Sequence, residues 1–312
     1  MKMVNIIPTG TSVRFMSFRR LAMIFSLLAC VASVGFFLTK GLNYGIDFRG
    51  GILIEIRTPE PTELGPLRAQ LNGLGLGEVA LQEFGRDTDV LIRIERQQGD
   101  AESQAKAVEA VKQALGAGVS YRRVEFVGPK VSGELIEAGV MAVLLALGAM
   151  LMYIWFRFEW QFGVGAVVAL AHDVILTIGV FSIVGLEFNL STVAAILTIA
   201  GYSINDTVVV YDRVRENLRK YKQMPLGQLL DLSLNDTLSR TILTSVTTLI
   251  ALIVLFFFGG QVIKGFSFAM IWGVTVGTYS SIFIAAPLLI HMNLRSSVIQ
   301  DKEAEDPATA SS

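Results

Sequence analysis

Residues 188–211 read FNLSTVAAILTIAGYSINDTVVVY, an apolar run long enough to cross a bilayer as one helix. Near its end the run carries Asn205 and Asp206, and three valines, Val208–Val210, continue the apolar character beyond them. A charged side chain at bilayer depth costs roughly 2.5–3.5 kcal/mol on insertion scales. The run therefore predicts a membrane fold, and its acidic residue is a candidate functional group.

Five other stretches pass the same length test: Leu21–Thr39, Ile136–Phe156, Phe162–Val184, Thr241–Phe258 and Gly265–Ile290. The chain of 312 residues is 52% hydrophobic and only 17% charged, whereas soluble domains are about a quarter charged. We therefore predict a polytopic α-helical membrane protein with six transmembrane helices. The first run is predicted to be a retained span, because Lys40-Gly41-Leu42 is not the small-residue site of a cleaved signal peptide.

Basic residues orient the predicted bundle, since cytoplasmic connections are enriched in Lys and Arg. They cluster before the first span, between the fourth and fifth, and after the sixth: Lys2, Arg14, Arg19, Arg20, Arg213, Arg215, Arg219, Lys220, Lys222, Arg295 and Lys302. This predicts a cytoplasmic N-terminus at 1–20, the first helix at 21–39, and a periplasmic domain at 40–135. Helices 2–6 are predicted within 136–290 with a cytoplasmic loop at 212–239, followed by a disordered cytoplasmic tail at 291–312.

The long polar stretch between the first two spans has the pattern of a small α+β domain. Strand-like alternation at Ile52–Arg57, Glu78–Phe84, Val90–Glu95 and Arg122–Val127 is interleaved with helical spacing at Pro61–Leu74 and Ala101–Leu115. The predicted order is β-α-β-β-α-β, a ferredoxin-like arrangement. The stretch contains no histidine and no cluster of metal ligands, so a protein-contact role is favoured over catalysis.

The third span carries His172 and Asp173 near its middle. Gly165, Ala169, Asp173 and Thr177 recur every four residues and form one small, polar face suited to close helix packing. Asp173 is thus predicted to face the bundle, either as a protonated carboxyl bonded to a neighbouring helix or as a proton-handling group. His172 points about 100° away and is predicted to make a helix-packing hydrogen bond.

The fourth span places Asn205 and Asp206 beside Tyr202, Ser203 and Thr207. Asp206 could lie at the membrane edge and reach water, but the valines that follow it favour burial. A buried carboxyl can take up and release a proton near neutral pH, so a functional role is the preferred interpretation, with Asn205 as a supporting polar residue.

The fifth span begins near Arg240, with Thr237, Thr241, Thr244, Ser245 and Thr248 at three- and four-residue spacing. Arg240 could be an interfacial arginine that only obeys the charge rule. The hydroxyl stripe favours a second interpretation, in which Arg240 pairs with Asp206 and Thr244 and Ser245 support the pair.

The sequence gives no indication of nucleotide-dependent or metal-dependent chemistry. There is no P-loop and no metal-ligand motif, so no cofactor is predicted, the chain is not expected to be an enzyme, and an ion gradient is the implied energy source. The net charge of −1 gives no basic field for nucleic acid. The single cysteine, Cys30, lies in an apolar run and is predicted to be a packing residue.

Four segments resemble the SecD/SecF family of protein-export proteins. Residues 41–51, GLNYGIDFRGG, resemble the signature that follows the first span, and residues 200–213, AGYSINDTVVVYDR, resemble the fourth-span signature of its SecF branch. Residues 233–260 and 265–288 are similar to its fifth and sixth spans.

The resemblance implies a six-helix bundle of the RND superfamily in the bacterial inner membrane. It implies pairing with SecD beside the SecYEG channel and YajC, and use of the proton motive force to promote preprotein translocation. The family's proton-conducting aspartate and arginine match Asp206 and Arg240, and Asp173 fits a His-Asp pair of the third span. Gly45, Asp47, Gly50 and Gly51 match the segment that joins the first span to the periplasmic domain, where the glycines permit a sharp backbone path.

Other classes of function are considered beside this one. A small-molecule or ion transporter of the same superfamily would be expected to have larger external domains than the roughly 90 residues available here. A passive assembly subunit would tolerate Asp206→Asn. An intramembrane protease would need a serine–lysine or paired-aspartate geometry that the sequence does not indicate.

Overall fold

The computed structural model describes residues 11–77, 79–84, 86–97, 99, 101–260, 263–292 and 294. The predicted disordered tail, apart from its first residues, lies outside the described residues, as does Lys2. The chain folds as two compact units. The first contains Met1–Leu42, Val143–Leu186 and Ala194–Ser312, and the second contains Asn43–Ala142 and Glu187–Val193.

The chain begins with a 3₁₀ turn, Phe15–Ser17, and the first apolar helix, α1 (Arg19–Lys40). Strand β1 (Asn43–Tyr44) and the short helix α2 (Ile46–Arg49) follow. Next come β2 (Gly51–Arg57), α3 (Leu64–Asn72), β3 (Val79–Phe84), β4 (Arg86–Ile94), α4 (Ala101–Leu115) and β5 (Ser120–Val127). The order of these last six elements is the β-α-β-β-α-β order that the sequence predicted.

The remaining elements are long helices interrupted by one short strand. They are α5 (Pro129–Arg157), α6 (Trp160–Val184), β6 (Glu187–Phe188), α7 (Leu190–Lys220) and α8 (Leu226–Phe258). The last span starts as α9 (Lys264–Ser280), passes through a π-helical turn (Ser281–Ala285) and ends as α10 (Ala286–His291). Six helices in the described residues are thus long and apolar enough to cross a membrane, which confirms the predicted six.

The ends of several helices differ from the prediction. Helix α7 continues to Lys220 and α8 begins at Leu226, so the predicted loop at 212–239 is mostly helical and the connection is residues 221–225. Helix α5 begins at Pro129, well before the predicted Ile136. The predicted ends follow hydropathy, which shows only where the side chains stop being apolar. A helix can continue beyond that point, because its backbone hydrogen bonds are satisfied within the helix in water as well as in lipid.

The four-stranded sheet of the second unit is antiparallel, with strand order β3-β4-β2-β5. Strand β2 lies inside the sheet and is buried along nearly its whole length, on both faces. Ile52, Ile54 and Ile56 join the core with residues of α3 and α4, while Leu53 packs with Ile46 and Leu91. The partial alternation in the sequence reflects a strand with apolar contacts on both sides.

Small residues set the helix packing in the first unit. A Cβ on Gly179 of α6 would collide with Ser33 of α1, including its backbone Cα, and a Cβ on Gly273 of α9 would collide with Ile199 of α7. These pairs of helices therefore approach closely, as small-residue faces allow. Gly273, Gly277 and Ser281 recur at four-residue spacing in the last span, a small-residue pattern that predicts a packing face. Gly273 and Gly277 both lie against α7.

Candidate functional site

Among the described residues of the first unit, two carboxyl groups are buried. Asp173 of α6 is 0% exposed and Asp206 of α7 is 7% exposed. Asp173 lies on the face of Gly165, Ala169 and Thr177, whose small or hydroxylated side chains let the neighbouring helices approach closely enough to enclose it. The burial of both residues confirms that the two aspartates point into the bundle.

Asp206 is held by hydroxyl groups from two other helices. Thr241 Oγ1 of α8 donates to Asp206 Oδ1 at 2.7 Å, and Ser281 Oγ donates to Oδ2 at 2.6 Å. Ser281 is the first residue of the π-helical turn, and such turns are frequent at functional sites. Each carboxylate oxygen thus has one neutral donor, and three spans meet at this side chain.

Asp173 has a similar but more enclosed environment. Ser203 Oγ of α7 and Ser280 Oγ of α9 donate to Asp173 Oδ2 at 2.5 and 2.8 Å. Its Oδ1 lies 2.9 Å from His172 Nδ1. His172 is itself buried, stacks on Tyr279, and its Nε2 has no hydrogen-bond partner among the described residues. The predicted helix-packing hydrogen bond of His172 is not formed among the described residues, because Nδ1 contacts Asp173 of the same helix and the contact with the last span is the ring stack on Tyr279.

The two carboxyl sites are joined through consecutive residues of the last span. Ser280 bonds to Asp173 and Ser281 bonds to Asp206. One turn away, Ser245 Oγ lies 2.7 Å from Thr278 Oγ1 and accepts a hydrogen bond from Tyr202 at 3.2 Å. A movement of the Ser280–Ser281 backbone would therefore alter the hydrogen bonds of both carboxyl groups together.

The predicted Asp206–Arg240 pair is not formed. Arg240 is exposed, and no ion pair or hydrogen bond joins its side chain to Asp206 among the described residues. The reason is geometric: neighbouring helix residues point about 100° apart, and it is Thr241 that faces Asp206. The hydroxyl stripe is thus divided, with Thr237, Thr241 and Ser245 buried on one face and Arg240 and Thr244 exposed on another.

Two residues that were predicted to support the site lie outside it. Asn205 is exposed on α7, since it precedes Asp206 by one helix position. Within the described part of the chain, Thr244 Oγ1 donates only to carbonyls of its own helix, those of Arg240 and Thr241 at 2.7 and 2.9 Å. Ser245 is buried and belongs to the hydroxyl network, as predicted.

The glycine-rich signature lies at the start of the second unit. Gly50 and Gly51 have φ values of +71° and +116°, in the region that favours glycine, and a Cβ on Gly51 would lie 2.6 Å from the carbonyl oxygen of Ile94. Gly45 packs against Glu187 and Asn189. Asp47 Oδ2 accepts a hydrogen bond from the backbone N–H of Leu190, at 2.9 Å.

The site is suited to proton uptake and release. Neither buried carboxyl is paired with Lys or Arg in the described part of the chain, so a proton can be accepted without breaking such an ion pair. No group of three or more His, Cys, Asp or Glu residues that could hold a metal ion occurs among the described residues. The hydroxyl donors can also reverse their role, since a serine or threonine hydroxyl both donates and accepts.

Sequence reasoning missed Ser280 and Thr278 and assigned Ser281 to helix packing alone. A signal was available, because residues 278–281 read TYSS, a polar cluster inside an apolar run. Buried hydroxyls in a span are expected to find polar partners, and the nearest candidates were the two aspartates.

Family comparisons give two matches. Residues 107–295 match the family described as protein export membrane protein SecD/SecF, C-terminal, and residues 35–58 match the SecD/SecF GG motif. The chain is 48% identical over 290 residues to the protein translocase subunit SecF of Rickettsia bellii (strain OSU 85-389), covering 92% of this chain and 95% of that protein. It is 47% identical to the same subunit of Rickettsia rickettsii (strain Sheila Smith), covering 92% and 94%.

Solved structures give a consistent result. A crystal structure of SecDF, a translocon-associated membrane protein from Thermus thermophilus, matches with a TM-score of 0.84 and 38% identity over 91% of this chain. SecDF in a super-membrane-facing form matches with a TM-score of 0.67 and 34% identity over 96% of this chain. The chain spans about two fifths of the length of these SecDF chains, 40% and 41% respectively.

Proposed function

Because this chain belongs to the SecF group of the SecD/SecF family, we propose that it is the smaller subunit of a proton-driven motor for protein export. In this proposal, protons that enter the bundle are taken up by Asp206 and Asp173. The energy of the gradient is used to promote preprotein translocation at the outer face of the inner membrane.

The observation that carries the proposal is the burial of two aspartates held by serine, threonine and histidine donors across four spans. Ionisable residues inside a membrane are costly and mark ion or proton pathways. One elementary charge that crosses the membrane potential is worth about 2.3 kcal/mol per 100 mV, which is enough to bias a conformational change. A passive assembly subunit, by contrast, would tolerate replacement of these carboxyl groups by amides.

The proposed partners are SecD, the SecYEG channel, YajC and the preprotein. A SecD partner is supported by the SecDF chains, which are more than twice as long as the part that this chain matches. Apolar side chains that remain exposed along α1 and α5 give a lipid bilayer or a partner helix surface to cover.

We further propose that the second unit, called the sheet unit below, is ferredoxin-like and periplasmic, with both chain termini in the cytoplasm. The strand order β3-β4-β2-β5, with two helices inserted in the β-α-β-β-α-β order, supports the ferredoxin-like assignment. The distribution of Lys and Arg supports the orientation. The unit bears no catalytic residues in this proposal; it acts by contact with the emerging chain.

Arg240 remains part of the proposed proton path, although it is exposed and does not pair with Asp206. It precedes Thr241, the donor to Asp206, and projects from an exposed part of an apolar helix. A guanidinium at bilayer depth needs a partner group or water. We therefore assign Arg240 to the surface through which the proton path continues beyond this chain.

The test is gradient-dependent export by membrane vesicles that contain the full complex. We expect Asp206→Asn and Arg240→Met each to abolish the stimulation by the gradient while the complex still assembles. The matched control is Asp212→Asn, which removes an exposed carboxylate on the same helix, paired with Arg157 at 2.8 Å. Normal stimulation in the Asp206→Asn variant would favour a passive assembly subunit instead.

A further inference from the structure

Two distant segments of the chain meet in the second unit. Strand β1 pairs with β6 in parallel, with Asn43 opposite Glu187 and Tyr44 opposite Phe188. The backbone N–H of Gly45 adds a hydrogen bond to Phe188 O at 2.8 Å. Strands of two residues are too short to be stable by themselves, so side chains must hold this junction together.

Asp47 attaches the glycine-rich segment to the first residue of α7. Its Oδ2 accepts the hydrogen bond from the N–H of Leu190, where a carboxylate also complements the helix dipole. Helix α7 already has a local cap, because Asn189 Oδ1 accepts from the N–H of Thr192 at 3.1 Å. Asp47 is therefore not needed to start the helix, and its contact fixes the helix start to a segment 143 residues earlier in the chain.

Arg93 attaches the same junction to the sheet. It lies on β4, inside the sheet, and its Nη1 donates to Asn43 Oδ1 at 2.8 Å. Its Nη2 donates to Glu187 Oε2 at 3.0 Å, and both side chains of this ion pair are about four fifths buried, with exposures of 16% and 21%. One guanidinium thus bridges β1 and β6. Gly45 leaves room for this arrangement, since a Cβ there would lie 2.5 Å from Glu187 Oε1.

We infer that Asp47, Arg93 and Glu187 form a coupling latch that ties the sheet to the start of the helix that carries Asp206. Helix α7 is continuous from Leu190 to Lys220, and Asp206 lies about 24 Å along it at 1.5 Å per residue. A displacement of the sheet pulls on Glu187 and Leu190, and the helix transmits the pull towards Asp206. The three residues are positioning residues, and the inference rests on the proposed function, since it names how proton binding is linked to the outer unit.

The test is a charge exchange in the full complex, with proton flux and export measured on the same vesicles. We expect Arg93→Glu and Glu187→Arg each to lower export stimulation at least fivefold while proton flux stays within about twofold of the unmodified protein. The double variant should recover at least half of the lost export, because the ion pair is restored with reversed polarity. Arg123→Glu is the matched control, since it makes the same charge change on β5, where Arg123 pairs with Glu125 at 2.6 Å.

A second pair of variants, at Asp47, tests the attachment to α7 and leaves the Arg93–Glu187 ion pair unchanged. Asp47→Asn keeps a hydrogen-bond acceptor and should retain export, whereas Asp47→Ala removes the acceptor and should uncouple export from flux. Unchanged export in the single Arg93 and Glu187 variants would overturn the latch, and so would a double variant without recovery. If the unmodified complex exports protein but carries no protons, the proposed function is wrong. The latch is then still tested by export alone: recovery in the double variant supports it, and no recovery contradicts it.

Discussion

At the scale of single residues, the account depends on which donors hold Asp206. Its two carboxylate oxygens each have one hydroxyl donor, Thr241 and Ser281, from different helices. A buried acceptor that loses its donor keeps its desolvation cost without compensation. The positions of these two hydroxyl groups therefore determine both the stability of the site and the geometry through which a proton reaches it.

The first prediction removes the donors one at a time. Ser281→Ala and Thr241→Val should each lower the free energy of unfolding by about 1–3 kcal/mol, because each leaves a buried carboxylate oxygen unpaired. Proton flux through the reconstituted complex should fall roughly tenfold, the equivalent of about 1.4 kcal/mol. Thr244→Val is the control: its hydroxyl bonds only to its own helix, so flux should not change. Equal flux in all three variants would contradict the assigned donors.

The sequence was sufficient to identify the two aspartates but not their partners. An acidic residue in an apolar run stands out because of its cost, and Asp173 and Asp206 both proved to be buried. The orientation of Arg240 could not be predicted, because Thr241 and Arg240 are adjacent and only the packing of the neighbouring helices decides which of them faces inward. The donors Ser280 and Ser281 come from another span. Their polar cluster indicates that they need polar partners, but sequence spacing does not determine which aspartate each of them bonds to.

At the scale of helices and strands, close packing depends on a few glycines. Helix α1 lies against α6 at Gly179, where an added methyl group would meet Ser33. Helix α5 contains Gly148, where an added methyl group would meet no atom within 4 Å. The two glycines have the same chemistry and opposite surroundings, so they form a natural pair for a test.

The second prediction concerns this pair. Gly179→Ala should lower the free energy of unfolding of the purified chain by about 1–3 kcal/mol, because the backbones of α1 and α6 must separate. Gly148→Ala should leave stability unchanged or raise it by about 0.5–1 kcal/mol, since alanine is the better helix former. Thermal unfolding in detergent, followed by circular dichroism, measures both variants. A Gly179→Ala protein as stable as the unmodified chain would show that the two helices do not pack as described.

The third prediction concerns the pH dependence of the sheet unit. Arg57 donates to both oxygens of Asp89 at 2.5 and 2.6 Å, and this contact lowers the pKa of Asp89 below its usual 3.8. A lowered folded-state pKa gives stability that is complete above the unfolded pKa and is lost as pH falls towards the folded value. The melting temperature should therefore decrease as the pH is lowered below about 4. Asp89→Asn should remove much of this acid dependence, and an unchanged dependence would mean that other carboxyl groups dominate.

The order of elements was more predictable than their ends. Period-two and period-3.6 patterns revealed the six elements from β2 to β5, since the apolar residues of strands and helices recur at these two periods. The extension of α7 to Lys220 and of α8 back to Leu226 was missed, because charged residues at helix ends lie outside the apolar layer and have no hydropathy signal. Strand β6, two residues long, is formed by a distant partner and has no local signature.

At the scale of the whole molecule, the proposal requires the sheet unit and the connection between α7 and α8 to lie on opposite sides of the membrane. Helices α1 and α5 flank the sheet unit in the chain, and the connection at residues 221–225 follows two further apolar helices, α6 and α7. The positive-inside rule assigns the second location to the cytoplasm.

The fourth prediction tests this orientation with single cysteines. In a Cys30→Ser background, which removes the only native thiol, Asp87→Cys should react with a membrane-impermeant maleimide added to spheroplasts. Gln223→Cys should react only after the membrane is opened. Both positions are exposed in the structure, so burial does not explain a lack of labelling. Labelling of Gln223→Cys in sealed spheroplasts would reverse the assigned orientation.

Proton flux through sealed vesicles that contain the purified complex is the most direct test of the central claim. With an imposed gradient and a pH-sensitive dye inside the vesicles, the unmodified complex should conduct protons and Asp206→Asn should reduce the flux to that of protein-free vesicles, with Asp212→Asn unaffected. Asn has nearly the same volume, and its carbonyl oxygen accepts one of the two hydroxyl bonds, while the other hydroxyl can turn to accept from the amide N–H. The main change is therefore the loss of the titratable group. Undiminished flux in Asp206→Asn would contradict the assignment of this carboxyl group to the proton path.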